Sequence, residues 1–244
     1  MNRVSEALSS PDSKRELNRM LFDRIAKKYD RATVLLSCGQ DQSWKNSLIE
    51  ALPDTSPAVC LDLASGTGDI TKRLTEKYPD SQVIGLDLSE EMVSLARKRF
   101  QDSQENLSFQ VGDIGKLPFP DNSIDIVTGG YALRNVPQLQ VALDEIARVM
   151  KPGATASFLD FLQPENRFLK LWNHAVLHLW CGIVGLILHG RPWIYRYIPY
   201  SLSDFPDTPT LNRMFEASGF YVGPGKVHFG GFLQRIEVNK VKTS

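Results

Sequence analysis

LDLASGTGDI, residues 61–70, is an apolar strand-like run that gives way to two closely spaced glycines and then to helix-forming residues. Gly66 and Gly68 let the chain turn tightly and bring bare backbone against a ligand. A helix opening there presents free N–H groups. The spacing Asp62-x-Ala64-x-Gly66-x-Gly68 is not the dinucleotide fingerprint G-x-G-x-x-G. Taken alone, the loop is also compatible with a plain strand-to-helix turn.

The next stretch favours a ligand. VIGLDLS, residues 83–89, reads as a second buried strand ending in Asp87, nineteen residues after Gly68. A carboxylate at the tip of a second parallel strand can accept hydrogen bonds from both ribose hydroxyls of a nucleoside lying across the sheet. Ser89 with Glu90 and Glu91 also reads as a helix start, so capping by Asp87 or Ser89 is compatible with that role.

Working outward, strands and helices alternate: AVCLDLA then ITKRLTEKY, VIGLDLS then EEMVSLARKRF, LSFQVGD, SIDIVTGGYAL then QVALDEIARVM, and ATASFLDF. This predicts an α/β fold with a parallel sheet covered on both faces. Upstream, a polar leader to about Ser13 precedes ELNRMLFDRIAKKYD, where Leu17, Met20, Leu21, Ile25 and Tyr29 recur at helical spacing. A second helix is expected over residues 42–52, ended by Pro53. The closing segment, residues 221–241, predicts a hairpin around Gly230 and Gly231 that inserts an antiparallel strand. The organisation is one domain: an N-terminal helical cap over 1–45 and a main body over 46–244, with a helical lid inserted at 165–205.

With 244 residues, 42% of them hydrophobic, the chain can bury a sizeable core. Zero formal net charge argues against a general nucleic-acid binder. Cys38, Cys60 and Cys181 are odd in number and far apart, which indicates neither a disulfide framework nor a CxxC metal site. The polar N-terminus, with acidic residues, is unlike a secretory or transit peptide, so a cytoplasmic protein is expected.

Residues 168–190 read FLKLWNHAVLHLWCGIVGLILHG, with no Asp, Glu, Lys or Arg over 171–190. Roughly 20 uncharged residues are long enough to span a bilayer. The strands expected on either side must pair in one sheet, however, and Asn173, His174 and His178 add polarity that a span would have to satisfy. A lid over an apolar pocket is expected, and contact with a membrane surface is compatible with it. His174 and His178 stand at i and i+4, but without the glutamate of a zinc-protease helix or a third ligand, so no metal is expected. These two and His189 are candidates for capping the pocket, and Trp172, Trp180 and Trp193 for core anchors or the wall of a tunnel.

The loop Asp62-x-Ala64-x-Gly66-x-Gly68 resembles the glycine-rich loop of S-adenosylmethionine-dependent methyltransferases, with Ala64 where many members carry a glycine. GDIGKLPFPDNSID, residues 112–125, resembles the segment in which such enzymes hold the adenine: Asp113 would accept from its amino group and Ile114 would pack on its ring. GGYALRNV, residues 129–136, resembles the GxxLRNV sequence of the ubiquinone and menaquinone biosynthesis C-methyltransferases. FDRIAKKYD, LLSCGQDQSWK, RVMKPGA, LDFLQPEN, YRYIPYSLSDFPD and EASGF follow that family's order and spacing.

The resemblance implies a Rossmann-like class I fold with a seven-stranded, mostly parallel sheet. It implies S-adenosyl-L-methionine held by Asp62, Gly66, Thr67, Gly68, Asp87, Leu88, Asp113, Ile114 and Gly130. The acceptor it implies is an apolar aromatic small molecule, a reduced prenylated quinone of the demethylmenaquinol or demethylphylloquinol type. Arg134, Asn135 and Tyr29 would lie by the transferred methyl group, with Arg134 stabilising a phenolate. A homodimer is compatible with this reading.

Several positions depart from the family pattern. Ala32 and Thr33 replace Met-Asn, Asp41 stands in a histidine position, Ala154 replaces a glycine, and Asp160 stands where glutamate is usual. Because the N-terminal segment forms part of the substrate wall in the family it resembles, these changes keep a second acceptor class in view, another phenolic or polycyclic metabolite methylated at carbon or oxygen. A third reading is a protein that binds S-adenosylmethionine without methylating. A purely structural Arg134 would pair with Asp121, Asp125 or Asp144, and a structural Tyr29 and Asp30 would pack at a helix C-terminus.

Overall fold

The computed structural model describes residues 10–102 and 105–242; most of the polar leader lies outside them. Helix α1, Pro11–Ile25, starts where the Ser10 hydroxyl accepts from the Ser13 N–H, with proline in its first turn and Asp12 against the positive end of the helix dipole. The predicted single helix through Tyr29 is broken: a 3-10 turn, Ala26–Lys28, separates α1 from α2, Tyr29–Leu36. Tyr29 and Asp30 therefore open a helix instead of closing one, and the break turns Tyr29 toward the glycine loop, where its Cε1 lies 3.6 Å from where a Cβ on Gly66 would stand. Helix α3, Asp41–Glu50, runs unbroken across the boundary expected between residues 45 and 46.

The main body then alternates as expected: β1 Val59–Leu63, α4 Asp69–Lys77, β2 Gln82–Asp87, α5 Glu90–Arg99, β3 Leu107–Val111, β4 Ile124–Gly130, α6 Leu139–Val149 and β5 Met150–Phe161. These strands pair in parallel. The central ones are covered on both faces, which is why β1 and β4 are nearly continuous apolar runs without alternation. Helices α7 Arg167–His189, α8 Trp193–Ser203 and α9 Thr208–Ala217 follow, then β6 Phe220–Val222, β7 Lys226–His228 and β8 Leu233–Lys240.

The sheet runs β3-β2-β1-β4-β5-β8-β6, with β7 also on β8. β8 is antiparallel and lies between β5 and β6, the inserted strand read from the closing segment. The sheet has eight strands where seven were expected, because the penultimate strand is split into β6 and β7 around Pro224, which has no N–H for the ladder. Strands β5 and β8, on either side of α7 in the chain, pair from Thr155 with Asn239 through Phe161 with Leu233, so α7 cannot carry the chain across a bilayer.

One side of the sheet packs on α6 and α9 through Leu143, Ile146, Phe158, Leu211 and Phe215, all at most 0% exposed. The other side packs on α4 through Cys60, Leu74, Tyr78 and Val83. Strand order reverses between β1 and β4, and in open parallel sheets the crevice at the carboxyl ends of such strands is where ligands bind.

Candidate active site

That crevice is the floor of an apolar cavity of about 490 Å³ roofed by α1, α2, α7 and α8. After β1 the chain passes through Ala64 at φ 51°, Gly66 at φ 55° and Gly68 at φ 86°. A Cβ on Gly68 would stand 2.7 Å from Phe109 and 2.8 Å from Phe100, so the glycine is required for packing as well as for conformation. Asp87, at the tip of β2, binds the loop: its Oδ2 accepts from the Gly66 N–H at 2.7 Å and its Oδ1 from the Ser89 N–H at 2.9 Å. Burial raises its carboxyl above the usual range, against the pull of those two N–H groups. Ser89 also caps α5 through the Met92 N–H, so both sequence readings of this turn hold together.

Six of the nine expected cofactor residues face the cavity: Gly66, Asp87, Leu88, Asp113, Ile114 and Gly130. The other three stand behind its wall. Asp62 is fully buried, its carboxylate accepting from the Thr71 hydroxyl at 2.6 Å and the Thr128 hydroxyl at 2.9 Å. Burial pushes it up to about 7. Asp62 thus ties β1 to α4 and β4 beneath the loop. Thr67 donates to Asp30 Oδ1 at 2.7 Å, joining the loop to α2, and Gly68 is covered by the two phenylalanines. At Gly130 a Cβ would overlap the Ile70 side chain, so this glycine lets β4 and α4 close on each other.

Asp113 accepts from the Gly115 N–H at 2.8 Å and from Arg15 Nε at 2.5 Å. Arg15 belongs to α1 and was not found from sequence, since nothing in the chain couples it to a partner 98 residues away.

The segment after β4 builds the opposite wall. Tyr131 has φ 59°, strained for a residue with a side chain, and its hydroxyl donates to Asp41 Oδ1 at 3.3 Å. Burial, followed by the nearby Asp41 carboxylate, raises the Tyr131 phenol well above its ordinary value. Asp41, the residue in the family's histidine position, is 2% exposed and paired with Lys45 at 2.7 Å; Lys45 reaches Asp69 at 2.8 Å. Burial would lower the Lys45 ammonium, yet the two carboxylates hold it above its usual value.

Arg134 pairs with none of Asp121, Asp125 and Asp144: Asp121 is taken by Arg148 and Asp125 by Lys151, and Asp144 accepts from Ser218. Its partner is Asp160, with Nε 3.5 Å from Oδ1 and the side chains 6% and 0% exposed. Arg134 Nη1 donates to Asn135 Oδ1 at 2.8 Å, and the guanidinium lies 5.1 Å from the Phe161 ring centroid. Nε has no hydrogen-bond partner among the described residues, an orphaned donor on a buried cation at the cavity wall. Asn135 is fixed from three sides: its Nδ2 donates to the Tyr131 carbonyl at 2.9 Å, its carbonyl accepts from Asn18 Nδ2 at 2.5 Å, and the Tyr197 hydroxyl donates to its Oδ1 at 3.1 Å.

Tyr29, Thr33 and Trp180 also line the chamber. The histidines expected to cap it do not: His174 lies against His178 with the rings tilted, His178 meets Tyr200 edge-on, and His189 meets the Tyr195 hydroxyl at 3.1 Å. Among the described residues no group of three His, Cys, Asp or Glu stands ready for a metal.

The strand order and a ligand cavity at the reversal point are those of the class I S-adenosylmethionine-dependent methyltransferase fold. The fold is similar to that of a solved S-adenosylmethionine-dependent methyltransferase of Thermotoga maritima, with a TM-score of 0.64 at 19% identity over 91% of this chain and 99% of that one. The ubiE/COQ5 methyltransferase family matches residues 11–234, and the chain belongs to it. It is 34% identical to the ubiquinone/menaquinone biosynthesis C-methyltransferase of Desulfotalea psychrophila, over 87% of this chain and 84% of the relative. It is 36% identical to the demethylmenaquinone methyltransferase of Thermotoga maritima, over 83% and 87%.

S-adenosyl-L-methionine is the cofactor of this enzyme class, and the wall has the chemistry to hold it. A carboxylate tied to the glycine loop suits ribose hydroxyls, and Asp113, on the same wall as the apolar Leu88 and Ile114, offers an acceptor for an amino-substituted ring.

Proposed function

We propose that this methyltransferase acts on a ring carbon of a reduced prenylated quinone, of the demethylmenaquinol or demethylphylloquinol type. The observation that carries the reading is the buried Arg134, a cation set in the wall of a large apolar chamber that is continuous with the glycine loop. The names of the relatives, which are quinone methyltransferases, support the same acceptor class.

S-adenosyl-L-methionine, when bound, supplies a methyl group activated on a cationic sulfur. Gly66, Asp87, Leu88, Asp113 and Ile114 hold it, while Asp62, Thr67 and Gly68 shape the loop from behind. A hydroquinone ring carbon becomes nucleophilic when a neighbouring hydroxyl gives up its proton; after transfer the hydrogen on that carbon leaves as a proton and the ring oxygen is reprotonated, which restores the aromatic quinol. Arg134 stays protonated in a protein and stabilises the resulting phenolate without acting as the base. Asn135 holds the guanidinium through Nη1, and Asp160 stands beside it as its counter-charge. The Tyr131 hydroxyl provides the route for the proton: it accepts from the acceptor while passing its own proton to Asp41 Oδ1. Tyr29 and Thr33 close the chamber over the ring, and the apolar lining keeps it dry.

The test is transfer from labelled S-adenosylmethionine to a panel of demethyl naphthoquinones and benzoquinones, each oxidised and reduced, with mass spectrometry locating the methyl. Transfer to carbon in the reduced samples alone is expected. Cofactor binding without transfer to any member would move the assignment to another phenolic acceptor, with Ala32, Thr33 and Asp41 as its determinants.

A further inference from the structure

Helix α7 is the most apolar long helix of the described chain, yet only 28% of its most apolar 18-residue window is buried. Of the remainder, some residues are half-buried and the others face outward as a stripe. Phe168, Trp172, Leu179, Ile183, Leu186 and Ile187 recur at helical spacing on one side, and Phe168, Trp172, Leu179 and Ile187 are each between 65% and 85% exposed. An apolar face of this extent on a water-soluble domain marks a binding surface.

We propose that this face docks the enzyme on the surface of an anionic lipid bilayer, with α7 lying in the plane of the interface. Charge selects the occupant. No acidic side chain lies on α7, residues 171–190 carry no Asp, Glu, Lys or Arg, and cations stand at both ends, with one exposed acid, Glu165, two residues before the helix. Exposed Arg167 and Lys170 flank the start. At the other end Lys28 Nζ reaches the Leu188 carbonyl at 2.5 Å, Arg24 lies 5.5 Å from the Trp193 ring, and Arg191 is exposed. Apolar residues between basic ends, with tryptophans at the margins, fit a leaflet that takes hydrocarbon below and anionic headgroups above.

The stripe is continuous with the cavity. Val176, Leu179, Trp180 and Ile183 line the chamber and are also at least 36% exposed, so the chamber opens along the docking face. Docking itself needs no particular acceptor; that the mouth takes its acceptor directly from the leaflet rests on the quinol reading above.

The experiment is cosedimentation of the full chain with phosphatidylcholine vesicles containing zero or about 30 mol% phosphatidylglycerol, at low and high salt. Binding that rises with anionic lipid and weakens with salt is expected. Quenching of tryptophan fluorescence by brominated lipid in the unaltered protein should accompany it. The double variant Trp172→Glu, Ile187→Glu changes exposed residues that do not line the cavity, and its bound fraction should fall about tenfold with methyl transfer to a tail-less acceptor unchanged. Lys170→Glu with Arg191→Glu should abolish the preference for anionic lipid. Absence of vesicle binding by the folded, cofactor-binding protein would overturn the proposal. So would equal binding by the Trp172 and Ile187 variant, or light scattering showing a dimer that this variant dissolves while vesicles are ignored. Vesicle binding is read without substrate, so a failed acceptor assignment would leave this result standing.

Discussion

Arg134 and Asp160 form a buried ion pair whose closest approach, Nε to Oδ1, is 3.5 Å, and no hydrogen bond joins those two atoms. The backbone N–H of Arg134 instead donates to Asp160 Oδ2 at 3.1 Å. Asp160 thus holds the arginine's backbone firmly and its guanidinium loosely, leaving that charge free to meet a developing anion. Burial raises the Asp160 carboxyl even though Arg134 pulls it down.

Arg134→Lys should keep cofactor affinity within about twofold while lowering kcat by about a hundredfold, because a lysine lacks the planar fork that Asn135 and Asp160 orient. Calorimetry and steady-state rates check this. Equal turnover would remove Arg134 from the chemistry.

Tyr131→Phe removes the hydroxyl next to Asp41 without changing the backbone. The expected outcome is a kcat lower by about tenfold to a hundredfold, with S-adenosylmethionine affinity retained. Unchanged kcat across the pH range would exclude the proton route.

Asp87→Ala removes the acceptors that hold Gly66 and Ser89 together with those offered to the ribose. Cofactor binding by calorimetry should weaken by more than about a hundredfold, and unaltered affinity would displace the ribose from this position.

Asp62 supplies a stability test. Its folded-state value of about 7 lies above the ordinary 3.8, because burial disfavours the charged carboxylate. Between those values the folded state holds a proton that the unfolded state has released. The contribution is therefore fully present below about pH 4 and is lost as pH rises toward about 7, by on the order of 1 kcal/mol per pH unit. Urea midpoints for the wild type and Asp62→Asn across this range should show the slope in the wild type and a smaller one in the variant.

Ala64→Gly places glycine at φ 51°, where a side chain costs about 1–2 kcal/mol and the added freedom of the unfolded chain returns about 0.4–1. A net gain of about 0.5 kcal/mol is expected in urea unfolding.

The sheet and its ligand side were legible because they rest on local pattern. β1, β2 and β4 are mostly apolar runs; β1 leads into the glycine loop, β4 ends in Gly130, and Asp87 stands at the expected tip of β2. Contacts between distant segments were not legible. Nothing near Arg134 in sequence points to Asp160, and no pattern links Arg15 to Asp113 or Asp41 to Tyr131. The break before Tyr29 was hidden too, since Leu17, Leu21 and Ile25 keep helical spacing right up to it and tertiary packing turns the chain there. Asp62 shows the converse: a motif residue fixed by its surroundings to a place behind the wall it was expected to face.

Strand β8, residues Leu233–Lys240, is the last segment of the sheet to leave the ribosome, yet it sits between β5 and β6. Until it arrives, β5 keeps an open edge of unpaired N–H and C=O groups, a template for pairing with other nascent chains. The five parallel strands can associate before β8 is made, whereas β6 and β7, which pair with β8, must wait for its synthesis. Loss of β8 should therefore be felt first as insolubility in the cell, before any question of methyl transfer arises.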